Sequence, residues 1–504
     1  MTTGYRLTGA TAKKKNMRMN LPTPTLRVPK LMVGAASLGL LLLLGGVPHT
    51  ARAQGKASGT PAAVDAPPTP GQPQGHQIAS TTDLAPFQIN GQLNFIAQTV
   101  GKFKSPYEGT NSFKSRRESE ASETYTLFMG SRLKPNFEVY VNAELAAGKG
   151  LSSAFGIAGF TNNDVIRNPT LSQEPYLARY FVRYTIPLGK GAQKVAGSQN
   201  QVAGLIPEHR LVISGGKVSA PDYFDVNSYA SSSHTSFVNW VLVNTGAWDY
   251  AADTRGYTRG VVVEDVQPTY AIRLGVFQMP SIANAINLAS RIDIDQGDNL
   301  EVELHPSVLR KTAAPLILRL IGYRNLAHMG NYAEAIAQAK VAGSGAVPII
   351  QNAEHVGNRK YGYGLNFEQA LGDDGNTGIF GRYSHDDGKT ESFAYTEVDS
   401  HLSGGLQLSG AHFLHRPQDH WAVAFAQDQL SNDHRDYLAA GGLGFLLGDG
   451  RLNYGPERIL ETYYCYRIAT GVTLSPDFQH IVNPGYNKNR GPINVGGVRF
   501  HAEF

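Results

Sequence analysis

The chain ends in the stretch Val498-Arg499-Phe500-His501-Ala502-Glu503-Phe504, which decides the class of fold. Side chains alternate between the two faces of a β-strand, so the apolar residues of this stretch share one face and its ionisable residues share the other. Phe504 is the last apolar residue of that face. A terminal Phe carries little weight alone, but after this alternation it predicts a final strand with one face in an apolar medium and the other in water.

The same two-residue rhythm recurs upstream in segments of about ten residues, the length that crosses a membrane as a strand. Gly, Asn and Asp, which favour turns, stand between the segments. In each segment one face is apolar or aromatic, and the other carries the polar and charged side chains. The apolar faces run over Ile89 to Ala97, Phe137 to Leu145, Tyr180 to Ile186, Tyr270 to Val276, Tyr361 to Phe367 and Leu460 to Ile468.

A soluble β-sandwich also alternates, with its apolar face turned to a core. Three features favour a membrane instead: an export leader precedes the strands, the 24 Tyr residues are frequent at strand ends, and the rhythm runs to Phe504. The sequence therefore predicts an all-β fold, a transmembrane antiparallel β-barrel over residues 87–504. About 16 to 18 candidate strands fit, and bacterial single-chain barrels have an even number.

Connections between these strands fall into two length classes. Gly372 to Asn376 has the composition of a short turn, whereas four much longer stretches separate other strands. Outer-membrane barrels have short periplasmic turns and long extracellular loops, so the two length classes agree with the predicted barrel. The long stretches are residues 146–175, 219–256, 326–358 and 426–456.

The net charge of +4 belongs to the N-terminal leader. Residues 1–53 contain eight Lys and Arg residues and no acid, so the remainder of the chain is acidic. An acidic body does not suit a protein that binds the phosphates of nucleic acid.

The same leader has the pattern of a signal peptide. A basic stretch precedes the apolar run Leu31 to Val47, and Ala51-Arg52-Ala53 is a small-x-small cleavage site before Gln54. A transmembrane helix is the alternative for the apolar run, although Gly and Ser interrupt it. The basic stretch is long for a signal, and Met17 and Met19 are alternative start positions.

Residues 54–86 are rich in Gly, Ala, Pro and Thr, which cannot bury a core, and are predicted to form a flexible spacer. Cys465 is the single Cys, so an internal disulfide framework is excluded. The absence of CxxC, HExxH, GxSxG and Walker motifs argues against an enzyme, and neither a cofactor nor a metal is predicted. Asp293 begins a stretch like a calcium loop, but the EF-hand pattern fails at Leu304; another loop calcium site stays open.

The charged face of the predicted strands would line a water-filled lumen. This face carries both Arg and Glu, whereas a pore for anions or cations would show an excess of one sign. A mixed lining favours neutral solutes that use hydrogen-bond donors and acceptors together. For each charged residue, the alternative to solute contact is a structural role, in which it pairs with an opposite charge to brace the wall or to hold an inward loop. The candidates are Glu144, Arg179, Phe181, Arg183, Arg273, Glu301, Glu303, Glu368, Arg382, Glu461 and Arg467.

Arg179 and Arg183 are the best-placed pair on this face. They are four residues apart on one predicted strand, which separates them by roughly 13 Å along it. Two cations at this spacing need an acid opposite, and Glu144 is the candidate partner. Phe181, between them, offers a plane to the C–H face of a ring-shaped solute.

The stretch 219–256 holds two of the three Trp residues of the chain beside several acids. An aromatic, acidic loop of this kind is predicted to fold into the pore and narrow it or cover the inner wall. Packing on itself outside the barrel is the alternative. The candidate residues are Asp222, Asp225, Asn239, Trp240, Trp248, Asp249, Asp253 and Arg255.

Four longer motifs belong together: Ser105-Pro106-Tyr107-Glu108-Gly109-Thr110-Asn111-Ser112, Tyr223-Phe224-Asp225-Val226-Asn227-Ser228-Tyr229-Ala230, Ala247-Trp248-Asp249-Tyr250-Ala251-Ala252-Asp253-Thr254-Arg255-Gly256 and Pro476-Asp477-Phe478-Gln479-His480-Ile481-Val482-Asn483-Pro484. On these motifs residues 88–504 resemble the carbohydrate-selective porin, OprB family.

The resemblance implies a 16-stranded barrel in the outer membrane of a Gram-negative bacterium. It also implies passive diffusion of carbohydrates, glucose or related small sugars, through a water-filled pore. A general diffusion porin without sugar preference is the alternative. The expected partners are small sugars, outer-membrane lipid and the barrel-assembly machinery, which would read Phe504. Nucleic acid is not expected, and a homotrimer and a monomer both stay open.

Cleavage after Ala53 predicts a mature protein that begins at Gln54. N-terminal sequencing and the intact mass of protein extracted from outer membranes check this start. Ala53→Leu should leave the uncleaved precursor, because signal cleavage needs a small residue there. Ala57→Leu is the control and should be processed normally. A mature chain that retains the Leu31 to Val47 run would instead support a transmembrane helix.

Overall fold

The computed structural model describes residues 87–504 apart from 167–170, 172 and 307–314. The predicted signal peptide and spacer lie outside the described residues. In the described part the strands are β1 (Phe87–Val100), β2 (Glu118–Lys134), β3 (Phe137–Gly148), β4 (Tyr176–Pro187), β5 (Ala192–Val195), β6 (Gly204–Pro207), β7 (Arg210–Val218), β8 (Thr258–Val266), β9 (Tyr270–Gln278), β10 (Gln296–Leu304), β11 (Leu316–Gly330), β12 (Glu354–Gly372), β13 (Thr377–Asp386), β14 (Ser400–Ser409), β15 (His420–Gln429), β16 (Glu457–Ala469), β17 (Val472–Val482) and β18 (Ile493–Glu503).

Helices are confined to the connections between strands. The two longer ones begin at caps, because the side chains of Asn331 and Ser431 each accept a hydrogen bond from the backbone N–H three residues on. Among the described residues, no helix combines the length and apolar character needed to cross a bilayer. The α-helices are α1 (Trp240–Val243), α2 (Tyr332–Ala342), α3 (Ala411–Leu414) and α4 (Asn432–Ala439), and 3-10 turns lie at Leu151–Ala154, Ala220–Asp222, Ile350–Ala353, Asp373–Gly375 and Pro484–Tyr486.

Sixteen of the strands form one closed antiparallel barrel, which confirms the predicted fold class. Each strand pairs with its neighbours in sequence, except that β4 pairs with β7 because β5 and β6 form a separate two-stranded sheet. Closure joins β1 to β18, with Phe95 opposite Phe500. A closed barrel has no sheet edge, so no backbone group is left for lipid to satisfy.

Phe504 completes the seam between the first and last strands. Its backbone N–H donates to the Gly91 carbonyl at 2.9 Å, and its own carbonyl accepts from the Gly91 N–H at 3.0 Å. A Cβ on residue 91 would collide with the Phe504 ring, so glycine there leaves room for the ring on the outer face. The final strand predicted from the alternation is therefore the strand that closes the barrel.

The two faces of each strand differ as the alternation predicts. Outward side chains are apolar and exposed, as in Leu274 (53% exposed) and Leu300 (46%). Inward side chains at the alternate positions are polar and buried, as in Glu301 (0%) and Arg319 (1%). Lipid suits the outward set, and water or protein groups must satisfy the inward set.

Long connections gather at one end of the barrel, the loop end, and shorter ones at the other, the turn end. The short turn at Gly372–Asn376 and the four long loops predicted from the sequence are confirmed, with bounds that differ by a few residues. The alternation pattern did not indicate the loops at 101–117, 279–295 and 387–399, nor one long connection at the turn end, 188–209.

Leu300→Arg should destabilise the barrel by about 2–4 kcal/mol, the cost of Arg on the lipid face near the bilayer centre. Leu300 lies mid-strand in β10, directly opposite Leu274 on β9. The free energy of unfolding in lipid vesicles, from denaturant titration, measures the effect. The control Leu300→Ile should cost less than about 1.5 kcal/mol. Equal losses for the two variants would mean that this face does not meet lipid.

Candidate solute pathway

Residues 219–257 (the inner segment), between β7 and β8, fold into the barrel and are almost entirely buried. The ring N–H of Trp248 donates to Asn299 on β10 at 2.9 Å, and the Asn239 amide donates to Gln479 on β17 at 3.0 Å. The inner segment therefore covers the wall between β10 and β17. A role for it in narrowing the pore stays a prediction.

Buried charges on that wall bind the inner segment. Arg382 donates through Nε to the Asp225 carboxylate at 3.0 Å, and Lys360 Nζ donates to Asp249 at 3.0 Å. Glu461 accepts hydrogen bonds from two backbone N–H groups of the segment at 2.6 and 3.0 Å. An unpaired buried charge is costly, so each of these contacts holds the segment against the wall.

Two further acids predicted to line the lumen also face the inner segment. Glu301 accepts from a backbone N–H of the segment at 2.7 Å, and Glu368 accepts from another. Arg467 lies toward the turn end, where its Nη1 donates to Gln418 at 2.8 Å. Nine predicted site residues thus lie away from the cavity described next: Glu301, Glu368, Arg382, Glu461, Arg467, Asp225, Asn239, Trp248 and Asp249.

A cavity of about 500 Å³ remains between the inner segment and the wall from β1 to β10. Its lining combines predicted residues with residues that the sequence analysis did not single out. Predicted lining residues are Glu144, Arg179, Phe181, Arg183, Arg273 and Glu303 from the wall and Asp222, Trp240, Asp253 and Arg255 from the inner segment; unpredicted ones include Arg132, Glu138, Tyr176, Tyr257 and Glu264.

Arg179 is paired with an acid of the inner segment. Its Nε and Nη2 donate to the two carboxylate oxygens of Asp222 at 2.7 Å each, and its guanidinium lies 5.0 Å from the centre of the Tyr257 ring. Glu144 instead accepts from the Tyr257 hydroxyl at 2.8 Å and from Thr126 at 3.0 Å. The expected pairing of Arg179 with Glu144 is therefore wrong, because the inner segment brings its own carboxylate to Arg179.

Arg183 faces the cavity from the same side of β4. Its Nη1 donates to the Tyr140 hydroxyl at 3.2 Å and lies 3.6 Å from the Glu138 carboxylate. The rings of Tyr140 and Phe181 stack with centres 4.8 Å apart, and the guanidinium lies 4.9 Å from the Tyr140 ring. A donor, an acceptor and an aromatic surface therefore meet at one place on the wall.

Arg273 connects three carboxylates of the wall. It lies 3.1 Å from Glu264, 3.0 Å from Glu301 and 3.1 Å from Glu303. Glu303 also accepts from Arg319 at 2.7 Å. Paired charges of both signs fix the side chains in place and leave the cavity without a strong excess of either sign.

His234 of the inner segment lines the cavity and pairs with Asp164 at 3.1 Å. Burial alone would lower the pKa of His234, but the charge and hydrogen bond of Asp164 outweigh it and raise that pKa above its usual value. Burial opposes the charged form of Asp164 as well, yet His234 and neighbouring hydroxyl and amide donors lower the pKa of Asp164. Each member of the pair therefore stabilises the ionised form of the other.

The cavity presents polar and charged side chains that are suited to hydrogen bonding. Within the described residues, no group of three or more His, Cys, Asp or Glu side chains is placed to hold a metal ion. A closed barrel with an apolar exterior, a charged lumen and an inward-folded segment is the architecture of an outer-membrane porin.

The chain belongs to the carbohydrate-selective porin, OprB family, whose sequence profile matches residues 124–504. Its fold is similar to the high-pH structure of Pseudomonas putida OprB, with a TM-score of 0.62 and 16% identity over 83% of this chain and 94% of that one. The low-pH structure of the same protein has a TM-score of 0.41 and 13% identity over 83% of this chain and 92% of that one. The structure of Salmonella typhi OmpF in complex with daunomycin has a TM-score of 0.44 and 9% identity over 84% of this chain and 98% of that one. No curated protein sequence matches the chain.

Asp225→Ala should loosen the inner segment, because it leaves the buried Arg382 without its carboxylate. Breaking such a pair costs about 3–5 kcal/mol. Amide hydrogen exchange should become faster over 219–257 and stay unchanged in the barrel strands.

The double variant Asp225→Leu with Arg382→Leu is the matched control. It removes both charges together and should recover much of the exchange protection. The same exchange in wild type and Asp225→Ala would show that this ion pair does not hold the inner segment.

Proposed function

We propose that this porin lets small, uncharged sugars diffuse passively across the outer membrane, through the cavity between the inner segment and the β1 to β10 wall. The observation that carries the proposal is the lining of that cavity. It places hydrogen-bond donors, acceptors and aromatic faces side by side, with the charges paired in place.

A sugar ring presents hydroxyls around its edge and C–H groups on its faces. Arg179 and Arg183 supply donors to the hydroxyls, and Glu144 and Asp222 supply acceptors. Phe181 supplies an apolar plane for the C–H face. Since these groups already bond to one another, a passing sugar exchanges existing contacts for new ones, which keeps binding weak enough for rapid release.

Paired charges also support a preference for neutral solutes. A pore for anions would show an unopposed basic ring, whereas Arg179 has Asp222 and Arg183 has Glu138. The second candidate is a general diffusion porin without sugar preference, because acidic and basic residues opposed across a lumen also suit such a pore.

We further propose an orientation and a route to the membrane. The turn end faces the periplasm and the loop end faces outward, following the rule for outer-membrane barrels. Residues 1–53 direct export and are removed, and residues 54–86 form a periplasmic spacer. Phe504 lies at the barrel seam, where the assembly machinery would read it.

Planar-bilayer conductance with sugar titration tests the proposal. Glucose or a related small sugar should block the ion current in a saturable way. Arg179→Ala and Arg183→Ala should each weaken the block by about tenfold, because a hydrogen bond to a charged group contributes about 1.5 kcal/mol or more.

Arg458→Ala is the matched control, because Arg458 is exposed on β16, outside the lumen, and bonds to Gln427. It should leave the block unchanged. An ion current that saturating sugar does not reduce, in wild-type protein, would favour the general diffusion porin.

A further inference from the structure

The connection between β4 and β7 is unlike the other described connections at the turn end. β2 and β3 are joined there by residues 135–136, and β16 and β17 by residues 470–471. Residues 188–209 (the turn-end hairpin) instead contain β5 and β6, which pair with each other and not with the barrel. The stem of this hairpin presents the tip, residues 196–203, to the lumen.

Wall residues of β2, β3 and β4 hold the tip. Arg132 donates to the carbonyls of Val202 and Ala203 at 3.1 Å each. Asn142 donates to the Asn200 side chain at 2.8 Å, which places the tip halfway along β3. The carbonyl of Asn200 also accepts from Arg183 at 3.0 Å.

The tip reaches across to the first strand as well. Gln199 donates to Gln92 on β1 at 2.9 Å. Val202 is only 1% exposed, and its N–H donates to the Tyr140 hydroxyl at 3.3 Å. The tip is therefore bound to the stretch of wall from β1 to β4 and lies within the lumen as an ordered element.

Residues of the tip line the cavity from its turn end. Gln199, Asn200 and Gln201 all face it, opposite the inner segment, which lines it from the loop end. The tip contains no charged residue. Its amides donate and accept hydrogen bonds, as sugar hydroxyls require, without attracting ions of either sign.

We infer that the tip of the turn-end hairpin forms a second narrowing of the lumen, below the inner segment, and that it sets the upper size of the sugars that pass. The size limit rests on the proposed function, whereas the narrowing does not. A solute that clears the inner segment must still pass between the tip and the wall opposite β1 to β4.

Replacing residues 196–203 by Asn-Gly removes the tip and keeps the stem. Val195 and Gly204 pair directly, and a two-residue Asn-Gly turn suits such a pair. Single-channel conductance should shift to a higher value. Liposome swelling with a monosaccharide, a disaccharide and a trisaccharide should show loss of the preference for the smallest sugar.

Val202→Asp provides a second test that keeps the chain length. A carboxylate at this buried site is costly and lies near Glu138, which accepts from Tyr140 at 2.7 Å, so the tip should undock. Conductance should again rise. The control Ala192→Asp adds the same charge at an exposed position of the stem and should leave conductance and swelling rates unchanged.

Heat-modifiable migration on a gel first checks that each variant assembles into a barrel. If the shortened variant does not assemble, the Val202→Asp variant alone tests the inference. Wild-type conductance and an unchanged sugar size limit in the assembled variants would overturn the inference. A conductance increase in a channel that shows no sugar preference even as wild type would uphold the narrowing and refute sugar uptake.

Discussion

Every backbone N–H and C=O group at the depth of the lipid needs a partner within the protein, and the closed ring of strands supplies it. The seam between β1 and β18 is the place where this condition is completed, with Phe504 bonded to Gly91 in both directions. Once the ring is closed, each strand has one face toward lipid and one toward the lumen. The apolar exterior and the polar interior follow from that single condition.

The polar interior creates the second requirement of the structure. Charges such as Arg319 and Arg382 are almost completely buried, so each needs an opposite charge or carbonyls nearby. Glu303 and Glu368 serve Arg319, and Asp225 of the inner segment serves Arg382. The inner segment therefore supplies partners for buried charges of the wall, in addition to filling part of the lumen.

Because the inner segment is bound to one side of the wall, the cavity lies off-centre, along the other side. Several charges on the wall from β10 to β17 hold the inner segment, whereas polar groups on the wall from β1 to β10 border the open cavity. The turn-end hairpin enters the same space from the opposite end. The proposed solute contacts therefore lie on one side of the barrel, where Arg179 and Arg183 line the cavity.

The sequence by itself determined the barrel, the lipid-facing and lumen-facing sides of the strands and four of the long loops, because side-chain alternation is a local property with a period of two residues. Only the tertiary structure decided which charges meet. Arg382 and Asp225 are 157 residues apart, and Asp222 rather than Glu144 binds Arg179. The turn-end hairpin gave no signal, since its polar tip has the composition of a turn. Such pairings depend on how loops fold back into the lumen, a long-range property that no local pattern contains.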